Sequence, residues 1–194
     1  MNWNLNLKTP TEHFCKEEQN KLENSPLEGA LAEQFADGGA QDLEWTSEQA
    51  AKSHGIYLEF NRDHRGREKD WMYMLRMTIP GGGPLNRTQW DILDTLATDY
   101  TADQEGHPSL RLTTRQNVQL HWLKKEVVPE VVQRVAESGF FSLNGCGDNV
   151  RNVMGCPLSR FSTIYNAHQH AEHLHLVSAG GSDLGCVSAG TNCC

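Results

Sequence analysis

At 194 residues, with 38% apolar and 22% charged side chains, the chain is long enough for one ordinary domain with extensions and short for two. Its formal charge of −8 argues against a general nucleic-acid binder, which needs a basic excess to neutralise phosphates. No stretch is long and apolar enough to span a bilayer, Met1–Lys8 lacks the pattern of an export signal, and the six cysteines are scattered, so a cytoplasmic protein with reduced thiols is expected.

Residues 1–45 read as a polar, acidic extension. Asn24-Ser25-Pro26 and Asp37-Gly38-Gly39 mark turns, and a short helix over Leu27–Phe35 fits between them. Thr46-Ser47-Glu48-Gln49 opens a second helix, with Thr46 or Ser47 as cap and Gly55 as stop. Trp71–Ile79 is apolar and β-prone, ended by Pro80 and three glycines. Thr88–Tyr100 places Trp90, Ile92, Leu93, Leu96 and Ala97 at helical spacing. After the break at His107-Pro108, Leu110–Thr113 reads as a second strand. Asn117–Leu123 is a third, alternating Val118, Leu120 and Trp122 against Gln119 and His121. Pro129–Ala136 gives a helix with Val131, Val132 and Val135 inward and Gly139 as its stop, and Phe140–Leu143 begins a fourth strand.

This order predicts an α+β domain: a ferredoxin-like β-α-β-β-α-β antiparallel sheet over residues 46–145, with two helices on one face. The irregular N-terminal extension precedes it, a further segment covers 146–175, and the Gly-, Ser- and Ala-rich residues 176–194 read as a disordered tail.

Chemistry-bearing residues fall in four places. Arg76 sits midway along an apolar strand before Pro80-Gly81-Gly82-Gly83, where it faces either solvent or an enclosed anion. Leu110–Leu123 carries Arg111, Thr113, Thr114, Arg115, Gln119 and His121 and no carboxylate. If its two strands pair, Arg111 and Thr113 can converge with Gln119 and His121 on one face, which suits a polycarboxylate as well as an exposed polar surface. Asn144–Pro157 combines turn-forming Gly, Asn and Asp with Arg151 and with Cys146 and Cys156. No Cys-x-x-Cys pair accompanies those cysteines, and ordinary thiols are expected. Residues 168–175 hold four histidines; His168, Glu172 and His175 would share a helix face, yet no His-Glu-x-x-His spacing is present. A solvated helix end is expected there, and no metal ligand is assigned.

Met74–Gly82, Leu110–Trp122 and Gly147–Pro157, with His54-Gly55-Ile56-Tyr57 as a lead-in, together resemble the siroheme and 4Fe-4S sulfite and nitrite reductase family. The resemblance runs over roughly residues 45 to 170. It implies six-electron reduction of sulfite to sulfide, or nitrite to ammonia, with ferredoxin or a flavoprotein as electron donor. By resemblance Arg76 and Arg151 bind the substrate anion. Arg111, Thr113, Thr114, Arg115, Gln119 and His121 match the segment that grips the carboxylates of siroheme. Residues 146–175 then begin the siroheme-binding domain. The family's four cluster cysteines, substrate-site lysines and second ferredoxin-like half have no counterpart in these 194 residues. A truncated chain is therefore expected, one that pairs with a second half domain, binds a tetrapyrrole without chemistry, or is a non-functional remnant.

Overall fold

The computed structural model describes residues 11–23, 30–38, 41–61, 69–143, 145 and 151–180. Its centre is a four-stranded antiparallel sheet in the order β1-β2-β4-β3, formed by β1 (Ile56–Phe60), β2 (Trp71–Met77), β3 (Leu110–Leu112) and β4 (Val118–Leu123). Tyr73, Leu75 and Met77 project from one side of β2 and are fully buried, as the two-residue repeat of a strand dictates. Val118, Leu120 and Leu123 continue that surface on β4.

Two helices cover this side. In α4 (Arg87–Tyr100), Leu93 and Leu96 are fully buried, and in α5 (Val128–Glu137) so are Val131 and Val135. All four share one core with the sheet residues. Each fully buried Leu contributes on the order of 2 kcal/mol by leaving water. The start of α4 is fixed by a capping box: Asn86 Oδ1 accepts from the Gln89 amide at 2.9 Å, and Gln89 Oε1 accepts from the Asn86 amide at 3.0 Å. The antiparallel sheet with paired helices on one face is the ferredoxin-like arrangement expected from the sequence.

Several local expectations are corrected. The strand begun at Phe140–Leu143 shrinks to a single bridge, Thr78 with Phe141. Ile56–Phe60, of which only Ile56 and Tyr57 were singled out, as part of a lead-in, already pairs with β2 from Ile56–Leu75 to Phe60–Trp71 and fills that edge. Phe141 can therefore reach only the end of it. Before the sheet, the described residues carry α1 (Lys16–Glu23), which was not expected, and α2 (Leu31–Ala36), which overlaps the helix expected over Leu27–Phe35, and Phe35 and Leu43 join the core. Tyr73 anchors this segment, its hydroxyl donating to the Gln41 carbonyl at 2.8 Å while burial pushes the phenol's pKa far up. The helix expected from Thr46 or Ser47 is α3 (Trp45–Ser53); its cap position is Glu44, and Ser47 is buried inside it.

At the other end, α6 (Ala167–Gly180) runs past the point where a disordered tail was expected to begin. It packs over the Pro80–Gly83 loop, where a Cβ on Gly81 would lie 3.2 Å from the His168 carbonyl oxygen. Residues 181–194, with Cys186, Cys193 and Cys194, lie outside the described residues, as does Cys146. Among the described residues no helix is long and apolar enough to cross a membrane.

Candidate functional site

The face of the sheet opposite the helices carries the polar residues. Register fixes who stands beside whom: Gln119 on β4 pairs with Arg76 on β2 and with Arg111 on β3. Three donor-bearing side chains thus form a row across three strands. With its amide oxygen turned toward β2, Gln119 accepts from Arg76 Nη2 at 2.6 Å and Nε at 2.9 Å. Arg76 Nη1 also donates to the Gly145 carbonyl at 3.4 Å, and the guanidinium lies 5.7 Å from the centre of the Tyr57 ring. A planar, permanently charged group held on three sides can still present its remaining N–H donors to an anion.

Glycines make room for this arginine's backbone. Gly55 adopts φ +78, and a Cβ there would sit 2.5 Å from the carbonyl oxygens of both Arg76 and Ser142. A Cβ on Gly145 would sit equally close, 2.5 Å, to the Arg76 oxygen. The Gly55 carbonyl in turn accepts from the Arg76 amide at 2.8 Å.

Next along β4 the strand bulges. Leu75 pairs with Leu120 but Tyr73 pairs with Leu123, so three steps on β4 match two on β2. The extra residue is Trp122, at φ +63. The alternation read from sequence put Trp122 in the core beside Val118 and Leu120. The bulge gives that place to Leu123, which is fully buried, and turns Trp122 out beside His121. Tyr57, Glu59, Met72, Arg111, His121 and Trp122 then line a cavity of about 540 Å3. That volume lies within the range of roughly 300 to 1,000 Å3 that small-molecule sites occupy.

The expected cofactor residues divide into two groups. Arg111, Gln119 and His121 lie on this face, with Arg76 beside them. Thr113, Thr114 and Arg115 do not, because β3 ends at Leu112 and they form the hairpin tip. Thr113 Oγ1 accepts from the Asn117 amide at 3.1 Å and the Arg115 amide at 3.3 Å, so its hydroxyl closes the turn. The side chains of Thr114 and Arg115 are exposed there.

Arg151 is also exposed, and its neighbour Asn152 fixes where it stands. Asn152 is 3% exposed, and its Nδ2 donates to the carbonyls of Ile79 (2.9 Å) and Arg115 (3.0 Å) and to Asn117 Oδ1 (2.9 Å). One amide thereby ties the segment carrying Arg151 to both the glycine loop and the hairpin tip. Sequence reasoning singled out Arg151 and passed over Asn152. It also missed Tyr57 and Glu59, whose alternation with Ile56, Leu58 and Phe60 after Gly55 was the available signal.

Chemically, the face joins two guanidiniums, an amide and an imidazole with a single carboxylate, Glu59, among the described residues. His121 is the most enclosed of these. It is 8% exposed, and its Nε2 is buried without a hydrogen-bond partner among the described residues. Such a donor set fits a ligand with several carboxylates. It does not fit an iron–sulfur cluster. Among the described residues there is no group of three or more metal-binding side chains, and the cysteines there are Cys15 and Cys156. The histidine run is not the solvated end expected from sequence, since His168 and His175 are buried in α6 while His170 stacks on Tyr165 at 4.9 Å.

The chain is similar to known sulfite and nitrite reductases. Residues 64–138 match the model of the nitrite/sulfite reductase ferredoxin-like half domain. The NADPH sulfite reductase hemoprotein beta-component of Paenibacillus sp. (strain JDR-2) is 36% identical over 164 residues, covering 80% of this chain and 26% of that protein. The ferredoxin sulfite reductase of Synechococcus elongatus is 42% identical over 111 residues, covering 56% of this chain and 17% of that protein. Among solved structures, the NirA protein of Mycobacterium tuberculosis superposes with a TM-score of 0.59 at 25% identity, covering 74% of this chain and 27% of that one. The chain thus spans about a quarter or less of the length of each of these three proteins.

Proposed function

For this chain, which belongs to the nitrite and sulfite reductase family through its ferredoxin-like half domain, we propose the anion- and cofactor-gripping part of a siroheme-dependent reductase. The observation that carries the reading is the row Arg76–Gln119–Arg111, set across three strands beside a cavity into which His121 also faces. Arg111, Gln119 and His121 hold carboxylates of the tetrapyrrole from the sheet. Thr113, Thr114 and Arg115 meet its rim from the hairpin tip. Arg76 and Arg151 bind the substrate anion, sulfite or nitrite.

When bound, siroheme supplies the electron-accepting and electron-donating centre at which the anion is reduced. The chain's own residues supply fixed positive charge. The Arg76 guanidinium, already held by Gln119 and Gly145, needs little reorganisation as negative charge accumulates on the bound anion. In this reading the cluster ligands, the second half domain and the electron donor, ferredoxin or a flavoprotein, come from outside the residues described.

Spectroscopy of the purified chain after incubation with siroheme tests this reading. The expected result is a retained tetrapyrrole absorption band that weakens in Arg111→Ala and in Arg115→Ala. A wild-type chain that retains no band after gel filtration overturns the reading.

A further inference from the structure

Gln119 stands between two guanidiniums, and its amide has a single oxygen to offer them. Arg76 Nη2 and Nε lie 2.6 and 2.9 Å from one end of that amide. A guanidinium donates and never accepts, so the atom facing those two donors is Oε1. The planar amide then carries Nε2 on the side away from β2, toward β3, where Arg111 is the direct cross-strand partner. Nε2 makes no hydrogen bond among the described residues, Gln119 is only half-buried, and Arg111 is exposed. Direct cross-strand partners hold their Cβ atoms about 5 Å apart. At that separation one ligand carboxylate can accept from Nε2 with one oxygen and from Arg111 with the other.

We propose that Arg76 is a positioning residue for the tetrapyrrole: it fixes the Gln119 amide with Nε2 toward Arg111, so that Gln119 and Arg111 form one carboxylate subsite. The inference rests on the functional reading above and gives Arg76 a second task within it. Without Arg76 the amide can turn over, and its oxygen then faces an incoming carboxylate. Both groups only accept, so they repel. The positive charge held against Oε1 also polarises the amide and strengthens its N–H donors on the far side. Glutamine suits the place because an acceptor is needed toward β2 and a donor toward β3. A glutamate there would accept on both sides, pair with both arginines and close the subsite.

Fluorescence titration of the whole chain with uroporphyrin, a metal-free tetrapyrrole with carboxylates around its rim, tests the proposal in Arg76→Met, Gln119→Leu and the double variant. Each single change is expected to weaken binding on the order of tenfold, the value of a hydrogen bond to a charged group. The double variant should lose clearly less than the product of the two, because Arg76 acts through Gln119. Gln119→Glu should lose binding at least as far as Gln119→Leu while melting no lower than wild type, a combination that a purely structural role would not produce. Thermal melting of each variant reports folding. If Arg76→Met does not fold, Gln119→Glu carries the test, since it keeps an acceptor for Arg76. Losses that multiply in full overturn the inference and leave the functional reading standing, for Arg76 would then reach the ligand directly. So does unchanged binding in Arg76→Met or in Gln119→Glu. A wild type that binds no uroporphyrin overturns both.

Discussion

Arg76 and Arg111 stand on opposite sides of Gln119, each its direct cross-strand partner, so two guanidiniums share one sheet face with a neutral amide between them. Adjacent strands are spaced ~4.8 Å apart, which puts the two backbones on the order of 10 Å apart. Arg76 is held by Gln119 and the Gly145 carbonyl, whereas Arg111 is exposed at the cavity wall. The two should respond differently to substitution. Arg111→Ala is expected to leave the melting temperature nearly unchanged and to weaken uroporphyrin binding by roughly tenfold to a hundredfold, the value of a charge-assisted hydrogen bond. Arg76→Ala should weaken binding and also lower stability, since it strips partners from Gln119. Fluorescence titration and thermal melts on the same samples separate the outcomes; equal stability losses in both variants would contradict the assignment.

Asn152 governs the placement of Arg151 without touching a ligand itself. Its Nδ2 serves two carbonyls and the Asn117 side chain from a position that is 3% exposed. Removing that donor takes a hydrogen bond from three acceptors, of which the Ile79 carbonyl keeps the Gly82 amide and Asn117 Oδ1 keeps the Ile79 amide, so the loss costs about 0.5–1.5 kcal/mol. Asn152→Ala is therefore expected to lower stability by about that amount in urea titration. Hydrogen exchange should rise in both 113–117 and 151–155. A rise confined to 151–155 would show that the amide does not link the two segments.

The helices and central strands were legible because their signals are local. Leu93 with Leu96, and Val131 with Val135, lie at helical spacing, and Tyr73, Leu75 and Met77 alternate on a strand. The failures came where pairing decided the outcome. Phe140–Leu143 has strand composition, but the edge of β2 it would need is already filled by Ile56–Phe60. In the site, Arg111 opposite Gln119 followed from alternation and a short hairpin. Glu59 beside His121 did not, since it required knowing that β1 exists. Nor did Trp122, because strict alternation cannot foresee a bulge.

That bulge makes a specific prediction. Trp122 occupies φ +63, a region that costs a bulky non-glycine residue about 1–3 kcal/mol. Trp122→Gly relieves the backbone at the expense of partly buried ring surface, so its stability should stay near or above wild type. Trp122→Val keeps the unfavourable backbone, adds a β-branched side chain and loses the ring, so it should melt lower than either. Because the indole lines the cavity, both variants should bind uroporphyrin more weakly. A valine variant as stable as the glycine variant would rule out backbone conformation as the controlling factor.

The docking of α6 carries a pH dependence. His175 is 2% exposed, and neither ring nitrogen has a hydrogen-bond partner among the described residues. Burial lowers its pKa below the ordinary value of 6.5. The folded chain thus binds this proton less readily than the unfolded chain does. By linkage the contribution of a neutral His175 to stability is fully present above about pH 6.5 and is lost as pH falls toward and through the lowered folded value. Amide exchange in residues 167–176 should accelerate on acidification across that window. His175→Leu should remove this share of the acid sensitivity, because leucine has no proton to gain. The difference between wild-type and variant melting temperatures, followed against pH, isolates it from the other histidines. A difference that stays constant as the pH falls would mean that His175 protonation does not load the α6 packing.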